Sequence, residues 1–220
     1  SKRTPNYVSV KGNVARAGRY QWREGQRIAD LFPSIQRSLN KSSDLDYSLV
    51  VRKTPEQHIQ VLQVALGEAI SNKQSNENIL LQAEDEILVF TKYDLELFGE
   101  AFHVGAKEKD LLSAEAASAN AQMETAEQLA NQVVGEDEAQ LKAQAIERIA
   151  KNSDMTVEEV AKVLNSTREK LLAPVLIRLQ EQASITNDLK VVEIFGEIKF
   201  PGVYPITDKN TVKDLIIAAG

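Results

Sequence analysis

An internal repeat constrains the fold of this chain more than any other sequence feature. Residues 8–32 align with residues 192–216 at a constant shift of 184, without a gap. Six of the 25 aligned positions are identical, and four more exchange one apolar residue for another. The identical pairs are Val8/Val192, Gly12/Gly196, Gly18/Gly202, Tyr20/Tyr204, Asp30/Asp214 and Leu31/Leu215. Because the copies lie far apart in sequence, the repeat predicts a duplicated domain and not a solenoid.

Both copies share one local pattern: a strand, a glycine, a turn that ends in a second glycine, an aromatic strand and a helix. A glycine within a strand marks a bend or a close approach of another backbone, and Gly12 and Gly196 are predicted to serve one of these roles. Pro201-Gly202 is typical of a type II turn, whose third residue needs a positive φ. The residues predicted to shape the motif are Gly12, Gly18, Gly196, Pro201, Gly202 and Tyr204.

Composition divides the chain into three parts. Residues 6–92 are β-rich and residues 189–220 return to β character, whereas residues 101–150 hold 13 alanines, two glycines and no proline. Because alanine is the best helix former, residues 100–185 are predicted to form a helical insertion with a hairpin and lead-in helices. The thin apolar stripes of these helices predict contacts with other proteins. The predicted fold class is α+β.

Hydrophobic spacing and turn residues predict the individual elements. A short helix is predicted over 27–39, and another over 211–219 with Val212, Leu215 and Ile216 facing inward. Thr156 to Glu159 form a capping-box pattern that starts a further helix, which Pro174 is predicted to kink or to divide. The predicted strands lie at 7–10, 20–22, 47–52, 58–66, 87–90, 190–195 and 203–204.

Charge balance and missing residue types exclude several classes of function. The formal net charge is -6, which argues against a nucleic-acid-binding protein with a basic face. No apolar run approaches the roughly 20 residues that cross a bilayer. The chain has no cysteine and two histidines, which excludes thiolate metal sites, disulfides and cysteine nucleophiles. No catalytic, metal-binding or cofactor motif is visible, so we expect neither enzymatic activity nor a cofactor.

The repeated motif resembles the opening of a known domain. V-x-[VI]-x-G-x-[VI]-x-x-[AP]-G-x-Y, followed by [IV]-x-D-L, is similar to the soluble-ligand-binding β-grasp (SLBB) domain, most closely over residues 192–220. Residues 78–90 resemble the closing strand of that domain, although the turn at Ala83-Glu84-Asp85 lacks the usual proline and glycine. Residues 170–184 resemble the helical lead-in to later copies. More narrowly, residues 6–92 and 189–220, about half of the chain, resemble the periplasmic part of the outer-membrane polysaccharide export proteins.

This resemblance implies a first β-grasp domain over 6–92 and the start of a second over 189–220. The second copy stops after its first helix, so we expect the chain to be a fragment of a longer protein. The family moves capsular polysaccharide or exopolysaccharide from the periplasm across the outer membrane, without enzymatic activity. The resemblance therefore implies a periplasmic protein, held at the outer membrane by segments outside this chain. It also implies an oligomeric ring and an inner-membrane polysaccharide copolymerase as a partner.

Two alternatives remain open at this point. One is an intracellular β-grasp module that binds a ligand, although no cofactor motif supports it. The other is a ring-forming scaffold whose helical insertion makes the contacts.

The first hairpin holds the candidate binding residues Arg16, Arg19, Tyr20 and Trp22. Aromatic faces and arginines are suited to sugars, and arginines favour acidic ones. A second interpretation is that Tyr20 and Trp22 pack into the core, and a third is a contact between subunits, where these residue types are enriched. The acidic residues at 84–86 are predicted to form a solvated turn.

Overall fold

The five strands in the first part of the chain form one mixed sheet. The computed structural model describes residues 6–93, 140, 143–144, 146–151, 153, 155–183, 188–209 and 211–220. The strands are β1 (Tyr7–Gly12), β2 (Gly18–Gln21), β3 (Ser43–Lys53), β4 (Ile59–Val64) and β5 (Glu86–Thr91). Their order is β2-β1-β5-β3-β4, and β1 pairs with β5 in parallel while the other neighbours are antiparallel.

Both faces of this sheet are buried, which explains the unbroken apolar runs in its central strands. One hydrophobic core lies on each face. In β3, Val50 belongs to the first core, whereas Leu49 and Val51 belong to the second core. In β5, Ile87 and Val89 belong to the first core, whereas Leu88 and Phe90 belong to the second. Alternation of side chains along a strand therefore divides one hydrophobic sequence between two cores.

Three short helices lie in the same segment. They are α1 (Ile28–Leu31), α2 (Ile35–Ser38) and α3 (Leu66–Ser71). The prediction of one helix over 27–39 was wrong, because two helices form there and Pro33 lies between them. Proline has no amide hydrogen and clashes with the preceding turn, so it divides the helical pattern. Ile28 and Phe32 still pack into the first core, as their spacing predicted.

Two longer helices and a second hairpin follow. Their bounds are α4 (Val157–Asn165), α5 (Arg168–Gln182), β6 (Val191–Ile194), β7 (Gly202–Pro205) and α6 (Val212–Ala219). Helix α5 packs Leu172, Val175 and Leu179 into the second core, and Pro174 lies within this helix without dividing it. Strands β6 and β7 form an antiparallel two-stranded sheet.

Helix α6 faces differently from the prediction. Val212 is 73% exposed and Ile216 is 61% exposed, whereas Ala218 and Ala219 are buried in the second core. In the first copy the equivalent residues, Ile28 and Phe32, are covered by a core to which α3, β3 and β5 contribute. Among the described residues the second copy has no such set of elements, and α6 uses its small residues to pack.

The chain divides into two compact units. One comprises Ser1–Asp94 with Lys162–Gly220, and the other comprises Leu95–Ala161. In the second unit residues 146–151 are helical. The predicted capping box is confirmed there, because the Thr156 amide donates to Glu159 Oε2 at 2.8 Å and the Glu159 amide donates to Thr156 Oγ1 at 3.2 Å. Most of the predicted helical hairpin over 101–150 lies outside the described residues.

Together, the described residues combine a five-stranded sheet, a two-stranded sheet and helices, which agrees with the predicted α+β class. None of the helices that the structure describes is long and apolar enough to span a membrane.

Candidate functional site

The two copies of the sequence repeat form the same hairpin. Val8 pairs with Tyr20 and Val10 with Gly18 in the first copy. Val192 pairs with Tyr204 and Ile194 with Gly202 in the second. Each pair in the second hairpin is the first pair shifted by 184 residues, so the register of the two strands is identical.

Hydrogen bonds outside the strand ladder repeat as well. The Tyr20 hydroxyl donates to the Arg16 carbonyl at 2.6 Å, and the Tyr204 hydroxyl donates to the Phe200 carbonyl at 2.7 Å. Each bond spans four residues, so the tyrosine ties the second strand to its own turn. This bond requires only a backbone carbonyl from its partner, which explains why arginine and phenylalanine serve equally.

The glycines of the two copies differ in their surroundings. Gly12 has φ 95°, and a Cβ atom there would lie 2.0 Å from the Val89 carbonyl oxygen of the neighbouring strand. Gly196 has φ 119° with no atom within 4 Å of such a Cβ. Gly12 therefore allows a close approach of another backbone, one of the two roles predicted for it. At Gly196 only the positive φ favours glycine.

The type II turn predicted at Pro201-Gly202 was wrong. Gly202 begins β7 with φ 154°, and its equivalent Gly18 begins β2 with φ 149°. The third position of a type II turn needs a φ of about 80°. Both glycines instead adopt an extended conformation at positive φ, at the point where the chain enters the second strand.

The sequence-predicted binding residues lie on this first hairpin but engage different groups. The indole Nε1 of Trp22 donates to the Leu81 carbonyl at 2.9 Å, and the ring packs against the first core. Tyr20 also packs there while its hydroxyl binds the turn. Arg16 and Arg19 are exposed, and the Arg19 guanidinium lies 4.8 Å from the centre of the Tyr7 ring. The core interpretation of the aromatic residues thus accounts for their contacts, and the arginines face solvent.

A shallow groove of about 520 Å³ lies beside this hairpin. Tyr20 lines it, whereas Arg16, Arg19 and Trp22 do not. Sequence reasoning missed most of its lining, because nothing in the spacing of these polar residues marks a groove. The polar lining residues are Gln21, Arg23, Glu24, Gln26 and Asp30.

The acidic cluster at 84–86 is not the solvated turn that was predicted. Asp85 is fully buried, and its carboxylate accepts two hydrogen bonds from Arg52, at 2.9 and 2.7 Å. Glu84 pairs with Lys53 at 3.0 Å, and Glu86 pairs with Lys11 at 2.7 Å. The cluster therefore neutralises basic residues of the neighbouring strands. Glu84 has φ 69°, in the turn where the resembling family places a glycine.

Arg168, which the sequence pattern did not single out, makes contacts with several elements of the described fold. It is 6% exposed, and its Nη2 donates to Asp44 Oδ2 at 2.8 Å. Its Nε donates to the Ala218 carbonyl at 2.7 Å, and its Nη1 donates to the Thr91 carbonyl at 3.1 Å. One guanidinium thus joins α5, the end of β5, the start of β3 and helix α6 of the second copy.

Aromatic rings surround the same guanidinium. Its carbon lies 3.6 Å from the centre of the Phe200 ring and 5.2 Å from that of Tyr47. Tyr47 in turn stacks on Phe90 and meets Tyr204 edge to face. Arginine over an aromatic face gains cation–π attraction, which is stronger where water is excluded.

Burial changes the acidity of two tyrosines in this cluster. Desolvation raises the pKa of Tyr204 to about 12, and the nearby Arg168 charge opposes that rise. Desolvation also raises the pKa of Tyr47 well above its usual value, against the same opposing charge. Both hydroxyls therefore stay protonated throughout the neutral range.

Within the ranges that the structure describes, no group of three or more histidine, aspartate and glutamate side chains could hold a metal ion. The described site is thus a pair of hairpins with a buried junction between the second copy and the first sheet.

Comparison with known proteins bears on the second copy. Residues 191–220 match the family model of the SLBB domain. This segment comprises β6, β7 and α6, so the match falls on the second hairpin and the helix after it. Neither a curated protein nor a solved structure matches the chain.

Proposed function

We propose that this chain is a non-enzymatic component of a system that exports capsular polysaccharide or exopolysaccharide. In this proposal it works in the periplasm, as part of an oligomeric conduit that is held at the outer membrane by segments outside this chain. Its partners are further copies of itself and an inner-membrane polysaccharide copolymerase. The two hairpins belong to two SLBB-type β-grasp domains.

The observation that carries the proposal is the identity of the two hairpins. The SLBB match covers residues 191–220, and the first hairpin has the same strand register as β6 and β7 within that segment. This shared register supports the proposal that the first copy, which the family model does not match, is also of the SLBB type. The motif shared by both copies is also the part of the sequence that resembles the export family.

The sheet order supports a β-grasp for the first copy. Strands β1 and β5 are central, parallel neighbours, each flanked by an antiparallel strand, and short helices cover one face. Parallel strands need a long connection, and the one from β1 to β5 comprises β2, α1, α2, β3, β4 and α3. The closing strand β5 falls at the place that the resemblance of residues 78–90 to the domain predicted.

The buried charges support a non-enzymatic role. Among the described residues, the buried charged side chains are Asp85 and Arg168. Asp85 is held by Arg52, and Arg168 is held by Asp44 and two carbonyls. Catalytic groups usually line an accessible cleft, whereas these two side chains are buried and connect elements of the fold.

Deletion of the gene, followed by measurement of where the polysaccharide accumulates, tests the proposal. We expect surface polysaccharide to fall and polysaccharide retained in the cell to rise, with recovery when the full-length protein is restored. Unchanged surface polysaccharide would contradict the proposal. Fractionation of the cells distinguishes the alternative of an intracellular module, because that protein would be found in the cytoplasm.

Direct contact between sugar and the first hairpin stays a prediction, with Arg16, Arg19, Tyr20 and Trp22 as the candidates. We expect this contact to be weak, because a transport path has to release its cargo. A titration with the native polysaccharide, followed by Trp22 fluorescence and amide shifts, tests it. Saturating sugar that perturbs neither Trp22 nor its neighbours would show that the hairpin has a structural role alone.

A further inference from the structure

The two outer edges of the five-stranded sheet differ in their hydrogen bonding. At the β4 edge, the Gln182 side chain donates to the Ile59 carbonyl at 3.1 Å and accepts from the Ile59 amide at 2.8 Å. The Asp208 carboxylate accepts from the Gln63 amide at 3.0 Å, and its own amide donates to the Val61 carbonyl at 3.2 Å. This edge is therefore occupied by groups of the same chain, which protects it from pairing with another strand.

The opposite edge, β2, is open. The Ser9 amide donates to the Asp85 carbonyl on the β5 side, so Ser9 and Arg19 form a non-hydrogen-bonded pair. The amide and carbonyl of Arg19 consequently point away from β1, and those of Gln21 do so two residues later. Within the described part of the chain, none of these four groups has a hydrogen-bond partner.

Three arginines lie along this open edge. Arg16, Arg19 and Arg23 are exposed, and none of them has an ion-pair partner among the residues that the structure describes. The Tyr7 ring beneath the Arg19 guanidinium restrains that side chain. This local excess of positive charge occurs in a chain whose formal net charge is -6.

The second copy lacks both features. The equivalents of Arg16, Arg19 and Arg23 are Phe200, Val203 and Thr207, which carry no charge. The equivalent of Gln21 is Pro205, which has no amide hydrogen and so blocks strand pairing at that edge. Because the two hairpins share one register, the difference is confined to what the edge can bind and does not affect how the hairpin folds.

We propose that the outer edge of β2 binds an extended, acidic segment of a partner polypeptide by strand addition. The outward amides and carbonyls of Arg19 and Gln21 match the backbone spacing of another strand. The three arginines flank those groups and would pair with carboxylates on alternate residues of the added strand. The proposal is independent of polysaccharide export and adds a protein-binding surface to the hairpin.

The test is an NMR titration of the chain, labelled with ¹⁵N, with a synthetic peptide of alternating glutamate and valine. The Arg19 and Gln21 amides are expected to shift and to become protected from hydrogen exchange. A peptide with lysine in place of each glutamate is expected to bind at least about tenfold more weakly, because it loses the charge contacts.

Two variants distinguish the contribution of backbone hydrogen bonds to binding from that of the arginine charges. Gln21→Pro reproduces the second copy at the same register and is expected to abolish protection at the edge. Arg16→Ala with Arg19→Ala is expected to weaken binding about tenfold while the edge still pairs. The matched control is Arg37→Ala, an exposed arginine on α2 that should leave binding unchanged.

Three results would overturn the proposal. One is the absence of shifts at Arg19 and Gln21 up to the solubility limit of the acidic peptide. Another is equal binding of the lysine peptide. The third is that an acidic oligosaccharide shifts the same amides as strongly and that Gln21→Pro leaves its binding intact, which would make the edge a general anion-binding surface. None of these results affects the gene-deletion test of export.

Discussion

The Arg168 guanidinium lies 2.8 Å from the Asp44 carboxylate, where the two side chains are 6% and 12% exposed. The ion pair connects the first turn of α5 with the beginning of β3. Because the same guanidinium also binds the Ala218 carbonyl, the second copy is tied to the first sheet through one side chain. A buried pair of this kind contributes little net free energy when intact, but the loss of one partner leaves a buried charge without compensation.

Replacement of Arg168 by methionine should therefore destabilise the protein strongly. We expect the free energy of unfolding to fall by about 3–5 kcal/mol, because the largely buried Asp44 carboxylate would lose its ion-pair partner. Urea denaturation measures this change. The matched control is Arg178→Met on the same helix, whose pairing with Glu86 is 3.4 Å long and partly exposed. We expect that control to cost less than about 1 kcal/mol. Equal losses for the two variants would contradict the role assigned to Arg168.

Alkaline pH should weaken the same region. Burial raises the pKa of Tyr204 from 10.0 to about 12, so the folded state holds its proton more tightly than the unfolded state. This contribution is present in full below about pH 10 and is lost as the pH rises towards 12. We expect the free energy of unfolding to fall across that interval, and to fall less steeply in Tyr204→Phe. Parallel curves for the two proteins would show that Tyr204 does not carry the effect.

The equivalent glycines Gly12 and Gly196 should differ in their tolerance of alanine. A Cβ atom at Gly12 would lie 2.0 Å from the Val89 carbonyl oxygen. An alanine there would also have to adopt φ 95°, which is unfavourable for any residue with a Cβ atom. We expect Gly12→Ala to cost about 3 kcal/mol or more, because overpacking adds to backbone strain. Gly196→Ala keeps the strain without the clash and should cost about 1–2 kcal/mol. Denaturant unfolding compares the two variants. An equal loss of stability would mean that the backbone at Val89 moves to make room for the added methyl group.

The buried carboxylate of Asp85 should matter more than exposed acids. Asp85→Ala leaves Arg52 without its two charge-assisted bonds and also removes the acceptor for the Gln82 amide at 2.8 Å. We expect a loss of about 3–5 kcal/mol in the free energy of unfolding. Glu24→Ala, at an exposed site, should change it by less than about 0.5 kcal/mol. A solvated Asp85 would instead make the two substitutions equivalent in thermal or urea unfolding.

The repeat carried most of what could be predicted about the fold. Identical glycines and tyrosines at one shift predicted two copies of a strand, a turn, an aromatic strand and a helix, because the local geometry of a hairpin depends on nearby residues. The inward face of α6 was predicted wrongly from the same pattern. Val212 and Ile216 have the spacing of Ile28 and Phe32, but burial depends on what lies opposite, and the described part of the second copy lacks those elements.

Less of the candidate site could be predicted from the sequence. Arg168 looks like any arginine at the start of a helix, and its partners Asp44, Thr91 and Ala218 lie 124, 77 and 50 residues away. Asp85 sits in a run of acidic residues that is typical of a solvated turn, and only the neighbouring strand reveals Arg52. The open edge at Arg19 and Gln21 likewise follows from strand order, which local spacing does not determine.

Residues 8–32 and 192–216 each form a hairpin, and the two hairpins have the same strand register. A nuclear Overhauser spectrum of the folded chain tests it directly, because Cα atoms of a non-hydrogen-bonded antiparallel pair lie about 4.5 Å apart, which brings their Hα atoms close together. We expect an Hα–Hα cross-peak between Ser9 and Arg19 and another between Glu193 and Val203. Absence of the second cross-peak, or its displacement by one residue, would show that the two hairpins do not share one register.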